Sequence, residues 1–215
     1  MGNSNSKSGR RGDWRQTVSG KMYWPADPRA DEIHIEDLAH HLATTNRFGG
    51  AAGEPYSVAQ HLVLASTIVA PEFALETLMH DGAEGLTGCD LIRPVKRSGA
   101  MGVLWEDFEA KNQRVVHERF GLPMDRFVEE HRDEWFEEGQ INIRLQGWFL
   151  RHVMPKAVKD VDNIILMTEA RDLMAPPPEP WVEATYKPLE QKIVPWCWEN
   201  ARDFFLRRFR ELGGK

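Results

Sequence analysis

The sequence predicts an all-α fold on three observations. Every strongly periodic segment repeats its apolar residues at helical spacing. No segment alternates with the period of two that a half-buried strand needs. The few β-like stretches, YKPLEQKIVPW among them, are too short to build a sheet. With 215 residues, 41% of them hydrophobic and 28% charged, the chain is long enough to bury one sizeable core.

Ile35 to Thr44 (IEDLAHHLAT) sets Ile35, Leu38, Ala39 and Leu42 on one stripe, with Glu36 and Asp37 in the first turn, where the helix dipole favours acids. Arg47 to Pro55 (RFGGAAGEP) reads as a glycine-rich loop. Ser57 is a good N-cap for a second helix, SVAQHLVLASTIVA, whose inner face carries Val58, His61, Leu62 and Ala65. After Pro71 a third helix is expected from Phe73 to Glu84. Trp105 to Phe120 is amphipathic and stops at Gly121 and Pro123. Met124 to Gly139 is acidic and helical, Ile141 to Met174 reads as one long helix or two abutting near Pro155, and Ala201 to Leu212 is the last helix. The prolines of APPPEP, Ala175 to Pro180, forbid a helix and favour an extended connection. Residues 1–18 are expected as a flexible tail, 19–174 as one domain, and 175–215 as an extension packed on that domain, capping either a pocket or an oligomer interface.

Composition excludes several classes. No apolar run approaches the roughly 20 residues that span a bilayer, and a formal charge of −6 argues against duplex nucleic acid as a partner. Cys89 and Cys197 lie far apart without CxxC spacing, so they read as reduced thiols in a cytoplasmic setting. The start MGNSNS has no apolar core of a secretory signal. It matches the myristoylation pattern at Gly2 and Ser6, but no second membrane signal accompanies it.

The chemistry concentrates in HDGAEGLTGCDLIRPVK, His80 to Lys96, directly after the apolar run ALETLM. A histidine and an aspartate side by side at the edge of a core need a partner, either ordinary hydrogen bonds or a metal ion. His61 faces inward from the preceding helix, so antiparallel packing can bring His61, His80 and Asp81 together, and imidazole with carboxylate suits a borderline divalent ion. A fourth ligand fits Asp162 in VKDVDNIILMTEARDLM, with Asp160 as its rival on another face. Tyr23 and Trp24, just before Pro25, suit stacking on a base or covering the core edge.

The ordered set NRF (Asn46 to Phe48), YSVAQH (Tyr56 to His61), LMHDGAE (Leu78 to Glu84), LTGCDLIRPVK (Leu86 to Lys96) and VKDVDNIILMTEARDLM (Val158 to Met174) resembles the HD-domain phosphohydrolase superfamily. Within it the chain is similar to the YfbR-like 5'-deoxynucleotidases and the phage deoxyadenosine triphosphate triphosphohydrolases. The resemblance implies a compact helical bundle with the metal between its central helices, held by His61, His80, Asp81 and Asp162. It assigns Glu84, alongside Asp81, to catalysis on the attacking water, and Arg47 and Lys96 to phosphate oxygens. Phe48 would lie against the sugar, which it would restrict to deoxyribose. Asp90 matches the residue that meets a sugar hydroxyl, although GCDLIRP is one residue longer than the family form. The implied cofactor is a divalent ion (zinc, cobalt, manganese, iron, nickel or magnesium), optionally with a second. The implied substrate is a deoxynucleotide, with a lean to the triphosphate because Arg93 and Arg97 flank Lys96. A monophosphate substrate, or a regulatory module that holds a nucleotide without turnover, are the alternatives, and a homodimer or hexamer is the implied assembly.

Overall fold

A computed structural model describes residues 9–10, 12–124 and 154–215. The expected helix from Met124 to Gly139, the start of the one from Ile141, and His131 and His152 fall outside the described residues, apart from Met124 itself. Among the described residues the fold is all-α apart from one small hairpin, β1 (Arg15–Gln16) antiparallel to β2 (Met22–Tyr23). This hairpin is not legible in the sequence, because two-residue strands carry no readable alternation. The helices are α1 (Ile35–Thr44), α2 (Val58–Ile68), α3 (Ala74–Met79), α4 (Gly82–Thr87), α5 (Arg93–Lys96), α6 (Gly99–Phe120), α7 (Lys156–Leu173) and α8 (Trp198–Glu211). None of the described helices is long and apolar enough to cross a membrane.

α1 has the expected bounds and buries Leu38, Ala39 and Leu42. Ser57 caps α2 by accepting from the Gln60 amide. α1 lies against α2, α4 and α8, while α2 also touches α3 and α7 and α4 packs on α6. The core between them holds Leu38, Leu42, Leu62, Leu78, Met79, Val116 and Phe205. Each such side chain contributes about 1.5–3 kcal/mol by leaving water. A smaller cluster of Ala65, Val69, Ala74, Val161 and Ile165 ties α2 to α7.

One expectation changes. The third helix is not continuous from Phe73 to Glu84. After a 3-10 turn (Pro71–Phe73), α3 ends at Met79, Asp81 leaves helical geometry at φ −108°, ψ 25°, and α4 begins at Gly82. Within the stretch read as a tail, two arginines make long-range contacts. Arg10 is buried against Asp27 and Glu32, and Arg15 donates to the carbonyls of Gly85 and Leu86. An arginine fork that meets acceptors 70 residues away leaves no local sequence signal.

Candidate metal centre

The interruption between α3 and α4 puts His80 and Asp81 at a corner facing α2. The Nδ1–H of His80 donates to the Thr77 carbonyl at 2.7 Å. A carbonyl can only accept, so the Nε2 lone pair is left for another partner. His61 makes the same choice by another route: its Nδ1 lies 2.7 Å from Glu169 Oε1, and Glu169 is fully buried. Both rings present Nε2 to one place, with centroids 5.4 Å apart, and neither buried Nε2 has a hydrogen-bond partner.

Two carboxylates face these nitrogens. Asp81 Oδ2 is 3.3 Å from His80 Nε2 and 3.9 Å from His61 Nε2. Asp162 Oδ1 is 3.3 Å from His61 Nε2 and 3.8 Å from His80 Nε2. His61, His80 and Asp81 form a group that could hold a metal ion. Two orphaned imidazole nitrogens beside carboxylate oxygens are the donor set a borderline divalent ion takes. Of the rival acids, Asp162 faces the two imidazoles, whereas Asp160 meets Lys156 and Tyr186.

The electrostatics agree with a place for positive charge. Burial and Arg47 oppose a charge on His61, but Glu169 and Asp162 outweigh them and raise it to about 9. Burial likewise opposes a charge on His80, and Asp81 and Asp162 raise it nonetheless. Asp162 is pulled well below the usual carboxylate range, its burial being overcome by the imidazoles of His61 and His80 beside it. Glu84 moves the other way. Burial first, then Asp81, push it well above its ordinary value.

Arg47 starts the glycine-rich loop, where the pairing of Asn46 with Ser57 and the hydrogen bond from the Arg47 amide to the Tyr56 carbonyl tie the end of α1 to the start of α2. Its buried guanidinium lies 3.1 Å from Glu169, 3.6 Å from Asp81 and 4.0 Å from Asp90. Phe48 has φ 58°, ψ 22°, a left-handed conformation that costs a non-glycine residue about 1–2 kcal/mol. Asp90 holds it there by accepting from the Phe48 amide at 3.1 Å. In this structure Asp90 is thus a loop clamp beside Arg47, and the Phe48 ring packs against Trp181. Lys96 lies between two acids, 2.7 Å from Glu109 and 3.6 Å from Glu84. Arg93 reaches Asp162 at 3.2 Å. Trp24 packs under the Arg10 guanidinium, and Tyr23 is a core residue whose hydroxyl meets Asn112, so of its two readings the core one fits.

Glu169, Glu109, Glu183 and Trp181 are site residues that the sequence reading did not include. Glu169 left a usable signal, because it follows Asp162 by seven residues, two helical turns on the same face of α7, next to Ile165 and Leu166. The other three are placed by tertiary contacts alone.

The fold and site thus define a helical protein with a buried histidine–aspartate group fit for a metal ion. No family model matches the sequence. The chain is 32% identical to the uncharacterized protein YfdR of Escherichia coli (strain K12) over 202 residues, covering 92% of this chain and 94% of that protein, and it belongs to the same family. It is also 36% identical to an uncharacterized protein of Rhodobacter capsulatus over 119 residues, covering 51% of this chain and 59% of the relative.

Proposed function

We propose that the protein is a metal-dependent phosphohydrolase of the HD type acting on deoxynucleotides, with a triphosphate the favoured substrate. The observation that carries this reading is the pair of buried, unpartnered Nε2 atoms facing Asp81 and Asp162, with a guanidinium beside Asp81. In it His61, His80, Asp81 and Asp162 hold the ion. A bound divalent ion would lower the pKa of its water and polarise a phosphoryl oxygen.

The chain's own residues do the rest. Water attacks the phosphorus attached to the 5'-oxygen, a P–O bond forms, the P–O5' bond breaks, and the departing oxygen takes up a proton. Glu84 orients the water and receives its proton, and burial makes that carboxylate a stronger base. Arg47 neutralises charge developing on the phosphoryl oxygens. Lys96 holds Glu84 from 3.6 Å and is a candidate second cation for phosphate. Phe48, fixed by Asp90, walls the sugar side.

The test is to incubate the protein, loaded in turn with Zn2+, Co2+, Mn2+, Fe2+, Ni2+ and Mg2+, with the deoxynucleoside mono- and triphosphates and to follow orthophosphate and triphosphate release. Turnover that disappears in Asp81→Ala and falls at least about 100-fold in Glu84→Gln is expected. No release with any metal refutes the enzyme reading and leaves a nucleotide-holding module. Orthophosphate release from monophosphates alone selects the nucleotidase alternative.

A further inference from the structure

Beyond the proline run the chain returns to the site as a short strap at residues 181–186, built on a 3-10 turn (Val182–Thr185). The Glu183 carboxylate is the feature that needs a reason. One of its oxygens, Oε1, receives both arginines of the RPVKR corner: Arg93 Nη1 at 2.7 Å and Arg97 Nη2 at 3.2 Å. Arg93 simultaneously reaches Asp162 Oδ2 and the Asn163 side-chain oxygen, each at 3.2 Å. Two guanidinium groups four residues apart on one helical turn therefore converge on one oxygen, and one of them also touches a residue assigned to the metal. Converging guanidinium groups repel each other unless an anion lies between them, and a carboxylate is the smallest side-chain anion that fits.

The carboxylate is held by a turn in which no residue is buried. Val182 is 79% exposed and Arg97 61% exposed. Apart from Glu183, the strap is anchored by Trp181 on Phe48 and by the Tyr186 hydroxyl on Asp160 at 3.2 Å. Neither is a buried apolar anchor of the kind that fixes the helices. Phe48 itself sits in a strained conformation beside Arg47, so the strap rests on the loop that borders the site.

We propose that Arg93 and Arg97 form a subsite for the distal phosphates of a polyphosphate tail, and that Glu183 fills it in the resting protein as a built-in stand-in for phosphate. The inference rests on the phosphohydrolase reading above. The phosphorus attached to the 5'-oxygen lies at the metal in either substrate class, and only a longer tail extends beyond it. Arg93, touching both Asp162 and Glu183, marks the direction in which that tail runs. A phosphate group brings more charge than a carboxylate and two further oxygens for the two forks, so it displaces Glu183 and the strap swings out. A monophosphate has no group to place there and leaves the strap closed.

The test is isothermal titration of the Co2+-loaded protein, in buffer at the same free Co2+, with inorganic tripolyphosphate and separately with orthophosphate. Glu183→Gln should bind tripolyphosphate about tenfold more tightly, as expected when an internal competitor occupies the site about nine-tenths of the time. Arg97→Ala, a change at an exposed side chain, should bind it about fivefold more weakly through the loss of a charge-assisted contact. Orthophosphate affinity should stay within about twofold in both variants, since it reaches only the metal end. Hydrogen exchange at residues 181–186 should quicken on adding tripolyphosphate to the wild type, and not on adding orthophosphate. Tight tripolyphosphate binding that neither substitution alters, with strap exchange unchanged, overturns the subsite while leaving the phosphohydrolase reading standing. Failure to bind either phosphate species overturns both.

Discussion

Glu169 is the residue whose removal tests the geometry of the centre most directly. It is wholly buried, and its two oxygens serve two donors, His61 Nδ1 at 2.7 Å and Arg47 Nη2 at 3.1 Å. Glu169→Gln keeps the volume but offers a single acceptor oxygen where two donors converge. One donor must then face the amide NH2, losing a charge-assisted hydrogen bond of about 1.5–3 kcal/mol. If the imidazole is the one released, its ring is free to turn and Nδ1 can lose its proton, so Nε2 no longer presents a fixed lone pair. Loss of such an orienting partner lowers metal affinity about 10–100-fold. Glu169→Ala goes further, leaving the Arg47 charge buried without its closest partner at a cost of about 3–5 kcal/mol, so it serves as the destabilised reference. Titrating Co2+ into each chelator-treated protein, with thermal melting alongside, separates the two effects. Glu169→Gln should melt lower by an amount matching the lost hydrogen bond and bind Co2+ at least about tenfold more weakly. Wild-type affinity in a folded Glu169→Gln protein refutes the orienting role.

Gly82 follows Asp81 and packs α4 on α6, where an added Cβ would lie 2.9 and 3.2 Å from the two γ-carbons of Val116. Gly82→Ala should cost about 1–3 kcal/mol of unfolding free energy by overpacking, and the double substitution with Val116→Ala should recover part of it. Full stability in Gly82→Ala, measured by urea denaturation, would show that the corner can shift freely. His117 is buried near the end of α6, and its desolvation lowers it to about 4, against which a bond to the Pro123 carbonyl acts only weakly. The folded state then holds fewer protons than the unfolded one, so stability is greatest above the unfolded value of about 6.5 and falls as the pH drops toward 4. Between pH 7 and 5 this one group removes about 2 kcal/mol. His41, also lowered to about 4 by burial, adds a slope of the same sign. In His117→Gln the loss between pH 7 and 5 should shrink by that amount, and an unchanged pH profile would refute the assignment.

How much of this was legible in the sequence depends on how local each cause is. α1 and the start of α2 were readable because their apolar spacing and the Ser57 cap are written within a dozen residues. The break at His80–Asp81 was not, since ALETLMHDGAEGLT keeps helical composition throughout. Only the crowding of Gly82 and Gly85 against Val116, Leu38 and Leu42 shows how closely the second half must pack. That break matters chemically. The expected third helix ran through to Glu84, whereas Glu84 sits in the first turn of a new helix for which Asp81 is the N-cap. α5 was hidden because four residues carry no period, although Pro94 in its first turn is a usual start signal. Lys96, read as a phosphate contact, is held between Glu84 and Glu109, and nothing near Lys96 in sequence announces Glu109. Side chains that converge from five different helices leave traces only where, as with Asp162 and Glu169, two of them share a face.

The charge count of the site explains why it suits a cation. Among the described residues, the carboxylates of Asp81, Glu84, Asp90, Glu109, Asp162, Glu169 and Glu183 lie in three neighbouring ion-pair groups with four permanent cations, Arg47, Arg93, Lys96 and Arg97. Fully ionised, these groups carry excess negative charge in a largely buried place, where each uncompensated charge costs several kcal/mol. The bare protein lowers this cost by holding Glu84 toward its neutral form and both imidazoles toward their charged forms. A divalent ion would do the same work directly and would return the imidazoles to the neutral state in which they could act as ligands. Metal should therefore bind the folded chain far better than the unfolded one. At a free Co2+ concentration 100 times the dissociation constant, the gain in unfolding free energy should be about 2.7 kcal/mol. Melting in Co2+ and in chelator measures it. The gain should vanish in Asp81→Ala, which removes a ligand while reducing the acid excess. A melting temperature that ignores Co2+ in the wild type would mean that protons alone balance these acids, and that the His61–His80–Asp81 group is a hydrogen-bonded core rather than a metal centre.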